Sequence, residues 1–285
     1  MDNTYYKTIT KHEAIGTFIW IYMDDIGIAT KIPSLQAHVN MVSDILHVAQ
    51  EHLLYFKPEK CIFHAPRMEY LGLILEHHQT CMDPIKFAGV WDWPTPTTIK
   101  GVWSFLGFCN YYHSFVQGFS ELGIPLNALT KKGVDFKWGL EEQHTFDQLK
   151  RHITSKPMLA HPWLDEPFEL EVDALGNAMG TVLLQRQPDS KKKPINFLSK
   201  TFNQAQRNYD IFDHEFLAMM LRHSRLLLVG SPHKVIVKTD HNNLRYWRDP
   251  QKISWWIARE VLELANHDIE IHHLQSKDNG NADAL

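Results

Sequence analysis

The sequence predicts an α/β (α+β) fold: an N-terminal part led by a β-hairpin, a helical middle, and a C-terminal mixed sheet with flanking helices. Three observations carry this. TFIWIYMDDIGIAT joins two β-rich apolar runs at Asp24-Asp25, which predicts a hairpin with both carboxylates at its tip. Residues 97–155 are helical in pattern and rich in aromatics, after a Trp93-Pro94-Thr95-Pro96 break whose two prolines forbid helix. From about Glu166 the texture turns to strands, starting with FELEVD, where Phe168, Leu170 and Val172 face one side and Glu169, Glu171 and Asp173 the other.

Each element follows from spacing. Leu35, Val39, Val42, Leu46, Ala49 and Leu53 recur at helical intervals and predict a helix from Ser34 to Leu53. SFLGFCNYYHSF forms the centre of the helical middle and the amphipathic EEQHTFDQLKRHI closes it. FELEVD, MGTVLLQRQ and INFLSK read as a three-stranded meander, with PDSKKKP as the turn before the third strand. A helix from Gln204 to Leu227 carries Phe212, Phe216, Met219 and His223 on one stripe with Glu215 on its flank, and KVIVKTD delivers Asp240 at a strand end. A helix over 254–265, a strand at DIEIHHL and a helix start at NADAL complete the order βββαβαβα. These divisions suggest three parts: 1–90, 91–160 and 161–285.

Composition narrows the function. The 285 residues, 44% hydrophobic and 22% charged, suffice for two domains with real cores. A net charge of −4 argues against binding nucleic acid by bulk charge, so any such binding is local. Three cysteines, Cys61, Cys81 and Cys109, make no disulfide framework and fit an intracellular setting, cytoplasmic or nuclear. No apolar run reaches the roughly 18 to 20 residues of a membrane span, and MDNTYYKTITKHE lacks the regions of a signal peptide, so no membrane partner is expected.

Asp173, Glu215, Asp240 and Asp283 stand at strand ends, on a helix and at a helix start, a pattern that converges at one edge of a sheet. Four converging carboxylates repel one another without cations, and Mg²⁺ or Mn²⁺ are the natural oxygen-liganded counterions. Two such ions about 3.5 to 4 Å apart suit phosphodiester cleavage. Acids in such places are also common as caps or solvated residues, and spacing alone does not choose. A second metal reading, zinc on Cys61, His64, His77 or His78, and Cys81, competes poorly, since no second Cys-x-x-Cys supports it.

FELEVDALGNAMGTVLLQ, NYDIFDHEFLAMM, VIVKTDHNNLRYW and NGNADAL resemble, in order, the four acidic motifs of the ribonuclease H domain of gypsy-type LTR retrotransposon polyproteins. IYMDDIGIAT resembles the reverse transcriptase active-site motif, KPEKCIFHAPRMEYLGLIL the end of its palm, and WPTPTTIKGVWSFLGFCNYYHSF with PLNALTKKGVDFKWGLEEQHTFDQLK the thumb. The resemblance implies a truncated palm and helical thumb followed by a ribonuclease H-like mixed sheet with flanking helices. It makes Asp173, Glu215, Asp240 and Asp283 the catalytic acids that hold two Mg²⁺ or Mn²⁺ ions and cut the RNA strand of an RNA–DNA hybrid. It makes Tyr22, Met23, Asp24 and Asp25 the polymerase motif, with Asp24 and Asp25 as metal ligands at a DNA/RNA template-primer. Tyr70, Leu71 and Gly72 would hold the primer, and Lys60 lies near the incoming nucleotide. His273, ten residues before Asp283, matches a histidine that assists product release, although the strand pattern favours a structural role.

Departures from the family pattern set expectations of their own. Only about twenty residues precede Tyr22-Met23-Asp24-Asp25, so an incomplete polymerase half is expected, with the remainder of a retroelement polyprotein as a partner. Trp103, Trp255, Trp256, His113, Leu175 and Met179 replace basic or hydroxyl residues, which should weaken phosphate contacts. The alternative to an active nuclease is a catalytically silent retroelement relic or nucleic-acid-binding module.

Overall fold

The computed structural model describes residues 17–22, 25–30, 34–76, 78–155, 158–163, 166–220, 234–246, 261 and 268–274. The chain divides into two compact units, Met1–Tyr70 and Leu71–Leu285. Among the described residues no helix is long and apolar enough to cross a membrane.

In the first unit, β1 (Thr17–Tyr22) pairs antiparallel with β2 (Asp25–Thr30), from Thr17 opposite Thr30 to Tyr22 opposite Asp25. Asp25 therefore opens the second strand at the hairpin end, as the two apolar runs predict. Helix α1 (Leu35–Glu51) starts where the Ser34 hydroxyl accepts from the Ala37 amide, and its buried stripe is Met41, Ile45 and Ala49. A 3₁₀ turn at Pro58–Lys60 and β3 (Arg67–Tyr70) end the unit.

The second unit opens with β4 (Leu73–Glu76) and β5 (Gln79–Met82), which form an antiparallel sheet with β6 (Met158–Ala160). Between β5 and β6 lie α2 (Pro84–Trp91), α3 (Ile99–Tyr111), α4 (Phe119–Leu122), α5 (Ile124–Leu129) and α6 (Leu140–Thr154). The Asp83 carboxylate caps α2 and the Thr98 hydroxyl caps α3, so each starts directly beyond a polar side chain that accepts a first-turn amide. Phe105, Cys109, Tyr112, Leu126, Phe146, Leu149 and Ile153 form the core of this helical layer. Trp93, in the proline break, packs its ring on Phe105 and Phe108, and its carbonyl accepts from Lys150 Nζ at 3.0 Å.

A five-stranded sheet follows, built from β7 (Phe168–Leu175), β8 (Ala178–Arg186), β9 (Lys192–Thr201), β10 (Val235–Thr239) and β11 (Ile269–His273), in spatial order β11-β10-β7-β8-β9. β7, β8 and β9 make the antiparallel meander the alternation predicts, whereas β10 runs parallel to both β7 and β11. Helix α7 (Ile211–Met219) covers the face that carries Phe168, Leu170 and Val172, with Phe216 at its centre. Phe168 and Phe216 are both fully buried, each contributing roughly 1.5 to 3 kcal/mol of hydrophobic stabilisation.

Two boundaries differ from the sequence expectation. β9 begins at Lys192, not at Ile195, although Pro194 lies inside it. The strand tolerates the proline because β9 is at the sheet edge and the register slips between Leu183 and Leu184, leaving Ile195 outside the ladder. Lys192 also has an acid on the same sheet, Glu169, at 2.5 Å. Helix α7 begins at Ile211 rather than Gln204, because the Asn203 and Gln206 side chains bond each other's amides in a separate 3₁₀ turn at Gln206–Asn208. Asp210 then leaves the helix path with ψ at 167° and caps the Asp213 amide at 2.9 Å. Residues 221–227 of the expected helix, and the expected helix at 254–265 apart from Val261, lie outside the described residues.

Candidate carboxylate site for metal ions

The site grows out of the parallel pairing of β7 and β10. Val235 lies opposite Phe168 and Lys238 opposite Glu171. Continued two residues further, that register sets Asp240 beside Asp173. The ladder itself ends at Glu171, so the Ala174 amide beyond it is left to donate elsewhere, and it donates to Glu215 Oε1 at 3.1 Å. Glu215 arrives from α7, whose apolar face fixes the helix on the sheet. Its second oxygen accepts from the Thr239 hydroxyl at 3.0 Å, and that hydroxyl in turn accepts from the His241 amide at 3.0 Å.

Asp173, Glu215 and Asp240 each offer a carboxylate oxygen, and these oxygens all lie within 4.8 Å of one another. Among the described residues this is the one group of three or more His, Cys, Asp or Glu side chains close enough to share an ion. Asp173 and Glu215 are buried and Asp240 is half-buried. Burial pushes the Glu215 pKa up to about 8; the Thr239 hydrogen bond opposes this, the charges of Asp173 and Asp240 add to it, and the Ala174 amide opposes it again. Like charges 4 Å apart repel by about 4 kcal/mol even at an effective dielectric constant of 20, so without a cation the cluster keeps a proton on Glu215 to well above the usual carboxylate range. Hard divalent cations with oxygen ligands suit such a donor set.

The other expected site residues fall in one unit or the other, or outside the described residues. Asp283, Asp24 and Met23 lie outside the described residues. Tyr22 is exposed at the end of β1 and Asp25 at the start of β2. Lys60 is exposed in the 3₁₀ turn and Tyr70 ends β3. Leu71 and Gly72 form a turn with φ of 51° and 76°, pinned from α3 by the Tyr111 hydroxyl on the Leu71 carbonyl and the Tyr112 hydroxyl on the Gly72 carbonyl at 3.2 Å. His273 is exposed and lies opposite Thr239 at the end of β11. The competing zinc set is divided between the two units, Cys61 and His64 in the first and His78 and Cys81 in the second; His64 packs its ring on His38, His78 on Trp163, and His77 is not described.

Comparison with known proteins fits this arrangement. Residues 138–237 match the family model of the RNase H-like domain found in reverse transcriptase. The Transposon Tf2-3 polyprotein of Schizosaccharomyces pombe is 32% identical over 277 residues, which is 96% of this chain and 21% of the polyprotein. The Tf2-7 polyprotein of the same yeast is 33% identical over 268 residues, 93% of this chain and 20% of its own length. The chain belongs to the gypsy-type retrotransposon polyproteins. It spans about a fifth of the length of the curated relatives it matches.

Solved structures agree on the fold of this retrotransposon chain. A foamy viral protease-reverse transcriptase "dRH" in complex with dsDNA superposes with a TM-score of 0.72 at 17% identity, over 90% of this chain and 46% of that one. A foamy viral protease-reverse transcriptase in complex with RNA/DNA hybrid gives 0.69 at 19% identity, over 90% and 36%.

Within the gypsy-type chain, Thr239 is the site residue that sequence reading missed. Its signal was present: in VIVKT, Thr239 takes the core-facing place after Val235 and Val237, and a hydroxyl at a core-facing position must find a partner.

Proposed function

We propose that this chain is a metal-dependent nuclease that cuts the RNA strand of RNA–DNA hybrids, with Asp173, Glu215, Asp240 and Asp283 as the metal-binding acids. The convergence of three carboxylates from β7, α7 and the end of β10 carries the reading. An all-carboxylate donor set fits Mg²⁺ or Mn²⁺, and a bound pair of such ions supplies an activated water and stabilises the leaving oxygen. The chain's own residues supply position: Thr239 and Ala174 fix both oxygens of Glu215, and α7 prevents the acid from retreating into solvent. The hybrid-bound foamy viral enzyme supports the choice of substrate by likeness of fold.

The same family reading divides the chain at 1–90, 91–160 and 161–285 into palm, thumb and ribonuclease H parts. It gives Tyr22, Met23, Asp24 and Asp25 to a polymerase centre on template-primer, Tyr70, Leu71 and Gly72 to the primer, Lys60 to the nucleotide and His273 to product release. An intracellular setting within a longer polyprotein goes with it.

The test is Mg²⁺-dependent cleavage of a labelled hybrid by the 285-residue chain, with Asp240→Asn as control. Cleavage by the parent and loss of at least about a hundredfold in the variant are expected, since catalytic groups of a metal site act as a unit. Equal signal from both would replace the nuclease with a silent nucleic-acid-binding module.

A further inference from the structure

Helix α1 of the first unit has two apolar faces. Met41, Ile45 and Ala49 make the buried one, and the helix packs on β2. Leu35, Val39, Val42, Leu46, Ala49 and Leu53 make the other, at alternating intervals of four and three residues. A period of about 3.5 residues is the one by which a helix keeps a continuous seam turned toward a second helix. Of this seam only Ala49 is buried. Val39 and Val42 are half-buried, and Leu35, Leu46 and Leu53 are 67%, 40% and 73% exposed.

The apolar surface extends beyond the helix. His64 packs its ring on that of His38, with centroids 4.9 Å apart. On the helix His38 neighbours both Leu35 and Val42, one turn to either side. The loop that carries His64 therefore borders the seam and sets Ile62 and Phe63, 61% and 53% exposed, beside it. Side chains of this size present on the order of 150 to 200 Å² each, so the three leucines with Ile62 and Phe63 leave about 500 Å² of apolar surface on one chain. Soluble monomers rarely show a contiguous patch larger than a few hundred Å². Two such surfaces pressed together bury about 1,000 Å², the area at which a specific interface begins.

The flanks of the seam say what it fits. Gln36, Ser43 and Gln50 stand along one side and His38, Ile45 and His52 along the other, with no Asp, Glu, Lys or Arg in either row. An identical seam therefore meets no fixed like charge, and a partner selected by charge finds nothing to pair with. We propose that α1 is a self-association surface, on which two copies of this chain pack Leu35, Val39, Val42, Leu46 and Leu53 against the same residues across a two-fold axis. Such a contact uses the same patch on both copies and closes on itself, so association stops at a dimer. The surface lies wholly in the first unit and is independent of the nuclease reading.

The test is the mass of the full chain, free of nucleic acid and in EDTA, by sedimentation over a range of concentrations. A dimer with a Kd of about 10 µM is expected, the weak end for a contact of this area. Leu35→Gln/Leu46→Gln changes two exposed positions, so it should melt like the parent while dimerising at least about tenfold more weakly. Leu53→Gln, beyond the helix end, should weaken the dimer without touching the helix. Leu140→Ser, at an exposed leucine of α6, should leave it unchanged. A dimer that survives both seam variants overturns the proposal, as does one that Leu140→Ser weakens equally. So does a parent that stays monomeric to about 100 µM. If the remainder of the polyprotein, added to that monomer, then shields Leu35–Glu51 from hydrogen exchange, the seam belongs to that segment instead of a second copy.

Discussion

Thr239 donates its hydroxyl to Glu215 at 3.0 Å in a place where neither side chain meets water. Thr239→Val keeps the shape and removes the donor, leaving Oε2 of the glutamate without that partner. The cost falls mainly on the ionised acid, about 1 to 3 kcal/mol for an unsatisfied buried group. The variant should therefore lose more thermal stability at about pH 8.5 than at about pH 5.5, measured without metal. An equal loss at both would show that the bond does not serve the charged form.

The raised pKa of Glu215 makes the metal-free protein sensitive to pH. Unfolded, the carboxyl titrates near 4.3, whereas in the fold it titrates at about 8. Between these values the native state holds a proton that the unfolded chain releases, so the stabilisation is complete below about pH 4.3 and is lost as pH rises to about 8. Millimolar Mg²⁺ should flatten that decline by favouring the ionised form. Melting curves in EDTA and in Mg²⁺ across this window decide it, and a Tm in EDTA that rises over the window would contradict the burial of the acid.

Glu215→Gln separates stability from function. The amide carries no charge to repel Asp173 and Asp240, so the metal-free variant should melt several degrees higher than the parent at about pH 8. It should also lose hybrid cleavage and most of the Mg²⁺-induced rise in Tm. Retained cleavage at the parent's rate would remove Glu215 from the site.

Gln185, fully buried on β8, holds the segment before β7 in place. It accepts from the Trp163 amide at 2.8 Å and donates to the carbonyls of Trp163 at 2.7 Å and Glu166 at 3.1 Å. Gln185→Leu fits the space but takes this partner from the Trp163 amide and the Glu166 carbonyl, while the Trp163 carbonyl keeps the Glu166 amide at 3.1 Å, which should cost about 2 to 4 kcal/mol by denaturant unfolding. A loss below about 1 kcal/mol would mean the segment finds other partners.

The Leu71-Gly72 turn offers a test in the helical layer. Gly72 has φ of 76°, and a Cβ there would sit 2.3 Å from Lys86 Nζ. Lys86 is flexible enough to move, so Gly72→Ala should cost about 1 kcal/mol of backbone strain. Tyr112→Phe, which frees the Gly72 carbonyl, should cost a similar amount. Unchanged unfolding midpoints for both would show that the turn is not held by α3.

The periodic parts of the fold were legible because their periods differ. The alternation of Phe168, Leu170 and Val172 states which face is buried. On α1 the period predicts the helix, but of the expected stripe Leu35, Val39, Val42, Leu46, Ala49 and Leu53 only Ala49 is buried, and the core face is Met41, Ile45 and Ala49. Pro194 and Asp210 show where that reading gives way. A proline is excluded from central strands but not from a bulged edge, and no local rule says that β9 is an edge. Likewise Gln204 has a good helix neighbour pattern, yet a mutual side-chain bond between Asn203 and Gln206 competes with it. Of the carboxylates, Asp173 and Asp240 were legible as strand-end acids. The partners of Glu215 were not, since Thr239 and Ala174 are 24 and 41 residues away and meet it only through the parallel register of β10 on β7.

That register also gives the chain a built-in order of assembly. β7, β8 and β9 can pair as soon as they leave the ribosome, but the inner edge of β7 must wait for β10. At about 5 to 20 residues per second, the 67 residues from Asp173 to Asp240 take roughly 3 to 13 s to synthesise. During that interval the nascent polyprotein carries an unpaired strand edge, open to chaperones or to wrong partners. It also lacks Asp240, so the grouping of Asp173, Glu215 and Asp240 is deferred until the sheet is closed.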